Sequence, residues 1–172
     1  MTVTDVRKDP AALTMEIVSE FTAPIERVWQ LLADPRQLER WWGPPTHPAT
    51  FTDFDLASDG RVSYFMTGPD GEQYHGWWRV REVDAPNVLE VHDGFADDDG
   101  EPNPELPVNV MRIELTAHGA ITQMSIRSTF PTLDAMKQTM AMGAEEGMKQ
   151  ALGQIDDILA EGVPQSSEGK SR

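Results

Sequence analysis

Hydrophobic and polar positions recur along the chain in blocks, and the order of those blocks predicts a fold. Leu13 to Phe21 alternates: Leu13, Met15 and Ile17, then Ser19 or Phe21, fall on one side, and Thr14, Glu16 and Val18 on the other. That period of two predicts a strand. After Thr22-Ala23-Pro24, the residues Ile25, Val28, Trp29, Leu31 and Leu32 recur at helical spacing as far as Ala33. Pro24 suits the neighbourhood of a first helical turn. Asp34 and Pro35 are an N-cap and first-turn pair for a second short helix reaching about Trp41, and Gly43-Pro44-Pro45 stops it.

From Thr50 the period changes to two. Phe51 to Asp55, Arg61 to Thr67, Gln73 to Val83 (long enough to carry a bulge), Val88 to Phe95, Val108 to Thr116 and Ile121 to Phe130 each read as strands. Ser58-Asp59-Gly60, Gly68-Pro69-Asp70-Gly71, Ala85-Pro86-Asn87 and the short loop Ala117 to Ala120 are the turns between them. Thr132 to about Ala160 keeps the spacing of an amphipathic helix and predicts one long C-terminal helix capped by Thr132. The order β-α-α-β6-α, with no strand alternating with a helix, predicts an α+β fold. A seven-stranded antiparallel sheet would have its apolar face closed by the long helix. Residues 12–161 are expected to form one domain, with 1–11 a flexible N-terminus and 162–172 a disordered tail of Ser, Gly and charge.

Charge and composition narrow the partners. The chain has 172 residues, 14 Lys and Arg, 29 Asp and Glu, and a formal net charge of −15. Nucleic acid and anionic membrane need a basic surface, so neither is an expected partner. Six acids (Asp93, Asp97, Asp98, Asp99, Glu101 and Glu105) fall within residues 93–105 with no base, which reads as one exposed loop. The absence of cysteine excludes disulfides, thiolate metal sites and a cysteine nucleophile. Met1 to Pro10 has no apolar core of signal-peptide length, and no run is long enough to span a membrane; a cytoplasmic protein is the expectation.

Candidate chemistry is sparse. His47, His75, His92 and His118 stand at no metal-ligand spacing, and Asp97-Asp98-Asp99-Gly100-Glu101 lacks the twelve-residue calcium-loop pattern. No nucleotide loop or nucleophile elbow is present, so no metal and no cofactor are expected. What stands out is aromatic and flexible. Trp41 and Trp42 are adjacent on a short helix, where one can enter the core while the other lies near a cavity mouth; alternatively both plug the fold. On the strand around Trp77-Trp78, the face bearing Tyr74, Gly76, Trp78 and Val80 is the better inner face, and Trp77 falls with His75, Arg79 and Arg81 on the outer one. Met66, Met111, Met124, Met136, Met140 and Met148 are inner-face candidates, suited either to a core or to an adaptable pocket. Gly143 and Gly147 lie one turn apart in the predicted helix, at a cost of about 1 kcal/mol each relative to alanine, which implies close approach or a need for room.

These segments carry a resemblance. Phe21 to Trp29, Trp41-Trp42-Gly43-Pro44, Gly60 to Met66 with Gly68-Pro69-Asp70-Gly71, Gly76 to Pro86, and Glu146 to Leu152 together cover about residues 12–160. In order and spacing they resemble the helix-grip superfamily of START domains, birch-pollen-allergen-like proteins and polyketide cyclases. Within it, the chain looks like the subgroup named for the activator of the heat-shock-protein-90 ATPase. Met148 stands where that subgroup often carries Trp, and the loop from Asp93 to Pro107 looks longer and more acidic than usual. The resemblance implies a curved sheet around the C-terminal helix with an elongated apolar cavity between them.

The expected function is binding of a hydrophobic small molecule, such as a lipid, polyketide or aromatic metabolite. Candidate ligand-binding residues are Trp41, Trp42, Tyr64, Met66, Tyr74, Trp78, Met111, Met124, Ser128, Met136, Met140 and Gly143. Trp41 or Trp42 would guard the mouth, and the Tyr hydroxyls and Ser128 would orient the ligand. One alternative is a cyclase- or hydrolase-type enzyme using the same cavity, with Tyr64, Tyr74 or an inward carboxylate such as Asp93 as acid or base. Another is a stress-response or co-chaperone-like interaction protein, motivated by the acidic surface and Trp77. A homodimer through the outer sheet face is compatible with all three.

Overall fold

The computed structural model describes residues 3–161. Its strands are β1 (Val3–Asp9), β2 (Thr14–Phe21), β3 (Ala49–Phe54), β4 (Arg61–Thr67), β5 (Gln73–Asp84), β6 (Val88–Phe95), β7 (Asn109–His118) and β8 (Ile121–Thr129). The helices are α1 (Ile25–Ala33), α2 (Pro35–Leu38), α3 (Leu133–Ala141), α4 (Ala144–Gly153) and α5 (Ile155–Ala160). All eight strands form one curved antiparallel sheet in the order β1-β2-β8-β7-β6-β5-β4-β3. Period-two alternation sends Met15, Ile17, Ser19 and Phe21 inward from β2, and Val62, Trp78, Val80, Leu89, Val91, Met111, Ile113, Met124 and Ile126 from the other strands. The expected bulge in β5 occurs as a register shift between Val80 and Glu82.

Three features differ from the sequence-based expectation. First, the sheet has eight strands, not seven. Residues 3–9, expected to be flexible, pair with β2 from Val3 opposite Ser19 to Asp9 opposite Thr14. Only Val3 and Val6 of this strand pack on the core. Its charged residues conceal the alternation because an edge strand needs little apolar surface and is protected by charge. The tail at 162–172 lies outside the described residues.

Second, the C-terminal helix is three segments rather than one. Gly143 sits at φ +86°, in the left-handed region, and separates α3 from α4. Gln154 separates α4 from α5, and its side-chain amide donates to the Gly43 carbonyl at 2.7 Å. The C-terminal segment is thereby tied to the loop that carries Trp41 and Trp42. Thr132 caps α3 as expected, accepting from the Ala135 N–H at 3.0 Å.

Third, Asp93 does not belong to the acidic loop. Asp97, Asp98, Asp99, Glu101 and Glu105 are exposed on it, but Asp93 lies within β6, opposite Trp78 on one side and Asn109 on the other. Strand phase puts it on the inner face with Leu89 and Val91.

The short helix α2 is capped by Asp34, whose side chain accepts from the Arg36 N–H at 2.9 Å. It also covers the β3 edge. Arg36 donates to the Phe51 carbonyl at 2.9 Å, Glu39 accepts from the Phe51 N–H at 2.9 Å, and the two side chains pair at 3.0 Å. Backbone groups that would otherwise invite another strand are satisfied by side chains. Buried Arg27 on α1 donates to Gln37 on α2 at 2.7 Å, fixing the two helices together. No helix among the described residues is long and apolar enough to cross a membrane.

Candidate ligand cavity

The break between α3 and α4 lies across the inner face of the sheet, and beneath it is a cavity of about 420 Å³. Strands supply Tyr64 and Met66 from β4, Tyr74, His75 and Gly76 from β5, Asp93, Gly94 and Phe95 from β6, and Asn109 from β7. The loop after α2 supplies Trp42, Pro44 and His47. Thr139, Met142, Gly143, Ala144, Gly147 and Met148 cover it from the helical side. Met142 is 63% exposed and Tyr74 54% exposed, so these two flank the mouth. Nothing lies within 4 Å of the position a side-chain carbon would take at Gly143 or Gly147. Of the two reasons for helical glycines, close approach and room, Gly147 has room, while Gly143 is required by its left-handed backbone.

The deep wall is aromatic. The Trp42 ring meets that of Trp78 edge to face at 5.0 Å and Tyr64 at 6.4 Å, while Phe51 stacks on Tyr64 at 5.0 Å. Tyr64 lies flat on the sheet because its cross-strand partner is Gly76. A side-chain carbon there would stand 2.5 Å from the Tyr64 ring. The two adjacent indoles divide their work. Trp41 is fully buried and donates from Nε1 to the Leu31 carbonyl at 2.9 Å, while Trp42, 5% exposed, turns into the cavity wall.

Set in this aromatic wall is a small polar cluster. The Nε1–H groups of Trp42 and Trp78 and the Oδ1 of Asn109 are buried with no hydrogen-bond partner. Both indole N–H groups turn toward the Tyr64 oxygen, and that of Trp78 also toward the Asp93 carboxyl, so acceptors of the wall itself stand nearest to them. Burial, first, and the nearby Asp93 carboxylate, second, push the Tyr64 hydroxyl well above its ordinary pKa. Burial likewise raises the Asp93 carboxyl to about 7, with the Trp78 indole drawing it part of the way back. Among the described residues no group of His, Asp or Glu is arranged to hold a metal ion.

The sequence-derived candidates separate into two sets. Trp42, Tyr64, Met66, Tyr74 and Gly143 line the cavity. Trp41, Trp78, Met111, Met124 and Met136 are buried in the core around it, and Met140 packs against that core. Ser128 lies between Met15 and Met111 across the strands and does not line the cavity. Trp42 is in the wall rather than at the mouth. Asn109, Phe95, Thr139 and Met142 were not anticipated. For Asn109 a signal exists: it keeps phase with Met111 and Ile113, a polar residue at an inward position of an apolar strand. Trp77 is half-buried on the outer face, where its Nε1–H donates to the Phe95 carbonyl at 3.0 Å.

Comparison with known proteins places this geometry. No curated protein matches the chain. Among solved structures, protein Ms6760 from Mycobacterium smegmatis is 49% identical, with a TM-score of 0.85 over 91% of this chain and 96% of that one. A solution structure from Arthrobacter aurescens is 45% identical, with a TM-score of 0.89 over 99% of both chains. CalU16 from Micromonospora echinospora, at 16% identity and a TM-score of 0.57, shares the fold alone. The family described as activator of Hsp90 ATPase homolog 1-like protein matches residues 22–160, from just before the first helix to the end of the last. With the eight-stranded sheet, the helical cover and the cavity between them, that match shows that the chain belongs to this helix-grip family.

Proposed function

We propose that the protein binds a hydrophobic small molecule, such as a lipid, polyketide or aromatic metabolite, in the cavity between the sheet and the α3–α4 segment. The observation that carries this reading is the cavity itself: about 420 Å³, walled by Trp42, Tyr64, Met66, Phe95 and Met148, and reached past Tyr74 and Met142. That volume falls within the range of small-molecule sites, which are mostly apolar with a few polar groups that fix orientation. Met66, Met142 and Met148 supply flexible side chains that adapt to a ligand's shape. Native mass spectrometry of the protein purified from cells tests the reading. A retained small molecule that is lost when Gly147 is replaced by Leu supports it. Failure to retain any apolar compound from a metabolite extract would count against it.

One observation favours a second reading, an enzyme of cyclase or hydrolase type. Asp93 faces the cavity with its carboxyl raised to about 7, a value suited to a general acid or base near neutral pH. On that reading Asp93 moves the proton and the aromatic wall positions the substrate. Conversion of the retained compound by wild type but not by Asp93→Asn, with binding intact in both, would favour it. Binding without conversion would leave the protein a carrier.

A further inference from the structure

We infer that the cavity takes up its apolar ligand together with a proton: the ligand sits against the acid form of the Asp93 carboxyl, and ionisation of that carboxyl releases it. This rests on the reading of the cavity as a binding site and adds the control of its occupancy.

The placement of Asp93 sets up the coupling. It lies on the inner face of β6 and lines the cavity. The indole N–H groups of Trp42 and Trp78 and the Asn109 Oδ1 are sealed in the wall, but Asp93 is only half-buried, and neither of its carboxyl oxygens is among those sealed atoms. Strand phase turns the remaining surface inward, onto the cavity. The mouth beside Tyr74 and Met142 is open, so water reaches the carboxyl when no ligand is bound. An apolar ligand displaces that water and puts hydrocarbon in its place. A neutral carboxylic acid tolerates the exchange, whereas a carboxylate loses solvation.

Nothing around Asp93 replaces what the carboxylate would lose. No Lys or Arg lines the cavity. Across from Asp93, β4 brings Tyr64, whose hydroxyl burial keeps neutral, and β5 brings the Trp78 indole. Asn109, its partner on β7, is uncharged. The other titratable lining groups are Tyr74 and His75 on β5 and His47 on the loop after α2. Neither α3 nor α4 contributes a charged residue to the lining. Glu145, Glu146 and Lys149 of α4 pair among themselves and with Lys8.

The sign of the effect follows. Without ligand the Asp93 carboxyl stands at about 7, and a ligand that removes its water raises it further. From there upward the complex holds more protons than the free protein, so affinity falls as pH rises. Charging His47 or His75 acts in the opposite direction, weakening apolar binding as pH falls.

Fluorescence titration with N-phenyl-1-naphthylamine, uncharged at neutral and alkaline pH, tests the linkage. Wild type should lose about tenfold in affinity between about pH 6 and about pH 8.5. Asp93→Asn should bind equally at both, close to the wild-type affinity at the lower pH. A second measurement needs no variant. Calorimetry of wild type at about pH 7.5, in two buffers of different ionisation enthalpy, should show uptake of about half a proton or more per probe bound. Saturable binding that is flat with pH, or that takes up no proton, would overturn the inference and leave the cavity a binding site. The same pH slope in Asp93→Asn would overturn the role of Asp93. No saturable binding by wild type at any pH would overturn the site itself, and this inference with it.

Discussion

Asp93 occupies a position where the strand pattern calls for an apolar residue, and the fold carries a cost for it. Its carboxyl is raised from 3.8 to about 7, chiefly by burial. The folded state therefore binds more protons than the unfolded state between about pH 4 and pH 7. The sign follows: stability falls as pH rises through that window, and the penalty is complete above the folded pKa. Each unit corresponds to about 1.4 kcal/mol, so full ionisation costs the fold on the order of a few kcal/mol. Asp93→Asn should raise the midpoint of thermal unfolding by about 5 °C near pH 8 and leave it nearly unchanged near pH 4. An equal gain at both would show that ionisation is not the cause. The neighbouring Gly76 makes a second test. A methyl there meets the Tyr64 ring at 2.5 Å, so Gly76→Ala should destabilise by about 1–3 kcal/mol in urea unfolding. A neutral result would mean that Tyr64 can leave the sheet freely.

The C-terminal helical segment sets the cavity's roof, and its two cavity glycines have opposite roles. Gly143 holds a left-handed turn at φ +86° that stops α3 and starts α4. Gly147 is inside α4, with ordinary helical backbone and open space before it. Gly143→Ala should therefore destabilise by about 1 kcal/mol, and Gly147→Ala should stabilise by about 0.5–1 kcal/mol, both measured by urea unfolding. If both variants moved in the same direction, the break would not be where the structure puts it. Apolar spacing through Leu133, Met136, Met140 and Ile155 continues across both breaks, so periodicity reads one helix where the backbone makes three. Gly143 carries no signal of its own backbone angle; a glycine in a helical pattern reads equally as room or as an end.

At the scale of the molecule, the strands from Arg61 to Thr67 and from Val88 to Phe95 were legible to the residue, because turn residues bound an alternating run on both sides. The edge strand Val3–Asp9 was not, since its backbone pairing depends on β2 rather than on its own side chains. The aromatic wall was partly legible. Strand phase assigns Tyr64 and Trp78 inward, yet it cannot say that Trp78 ends fully buried behind Trp42 while Tyr74, on the same face of β5, ends at the mouth. That difference depends on where α3 stops and how far the helices reach, which is a tertiary fact. The methionines show the same limit: Met111, Met124 and Met136 fill core, while Met66, Met142 and Met148 line the cavity.

Filling the cavity without unfolding the protein tests its role most directly. Gly147→Leu places a branched side chain into open space on α4 and improves helix propensity, so the fold should be kept. Titration with the neutral fluorescent probe N-phenyl-1-naphthylamine should show one saturable site in wild type and an affinity at least about tenfold weaker in Gly147→Leu, with unfolding midpoints equal or higher in the variant. Undiminished probe binding by a folded Gly147→Leu, or no saturable binding by wild type, would contradict a ligand site between the sheet and the helices.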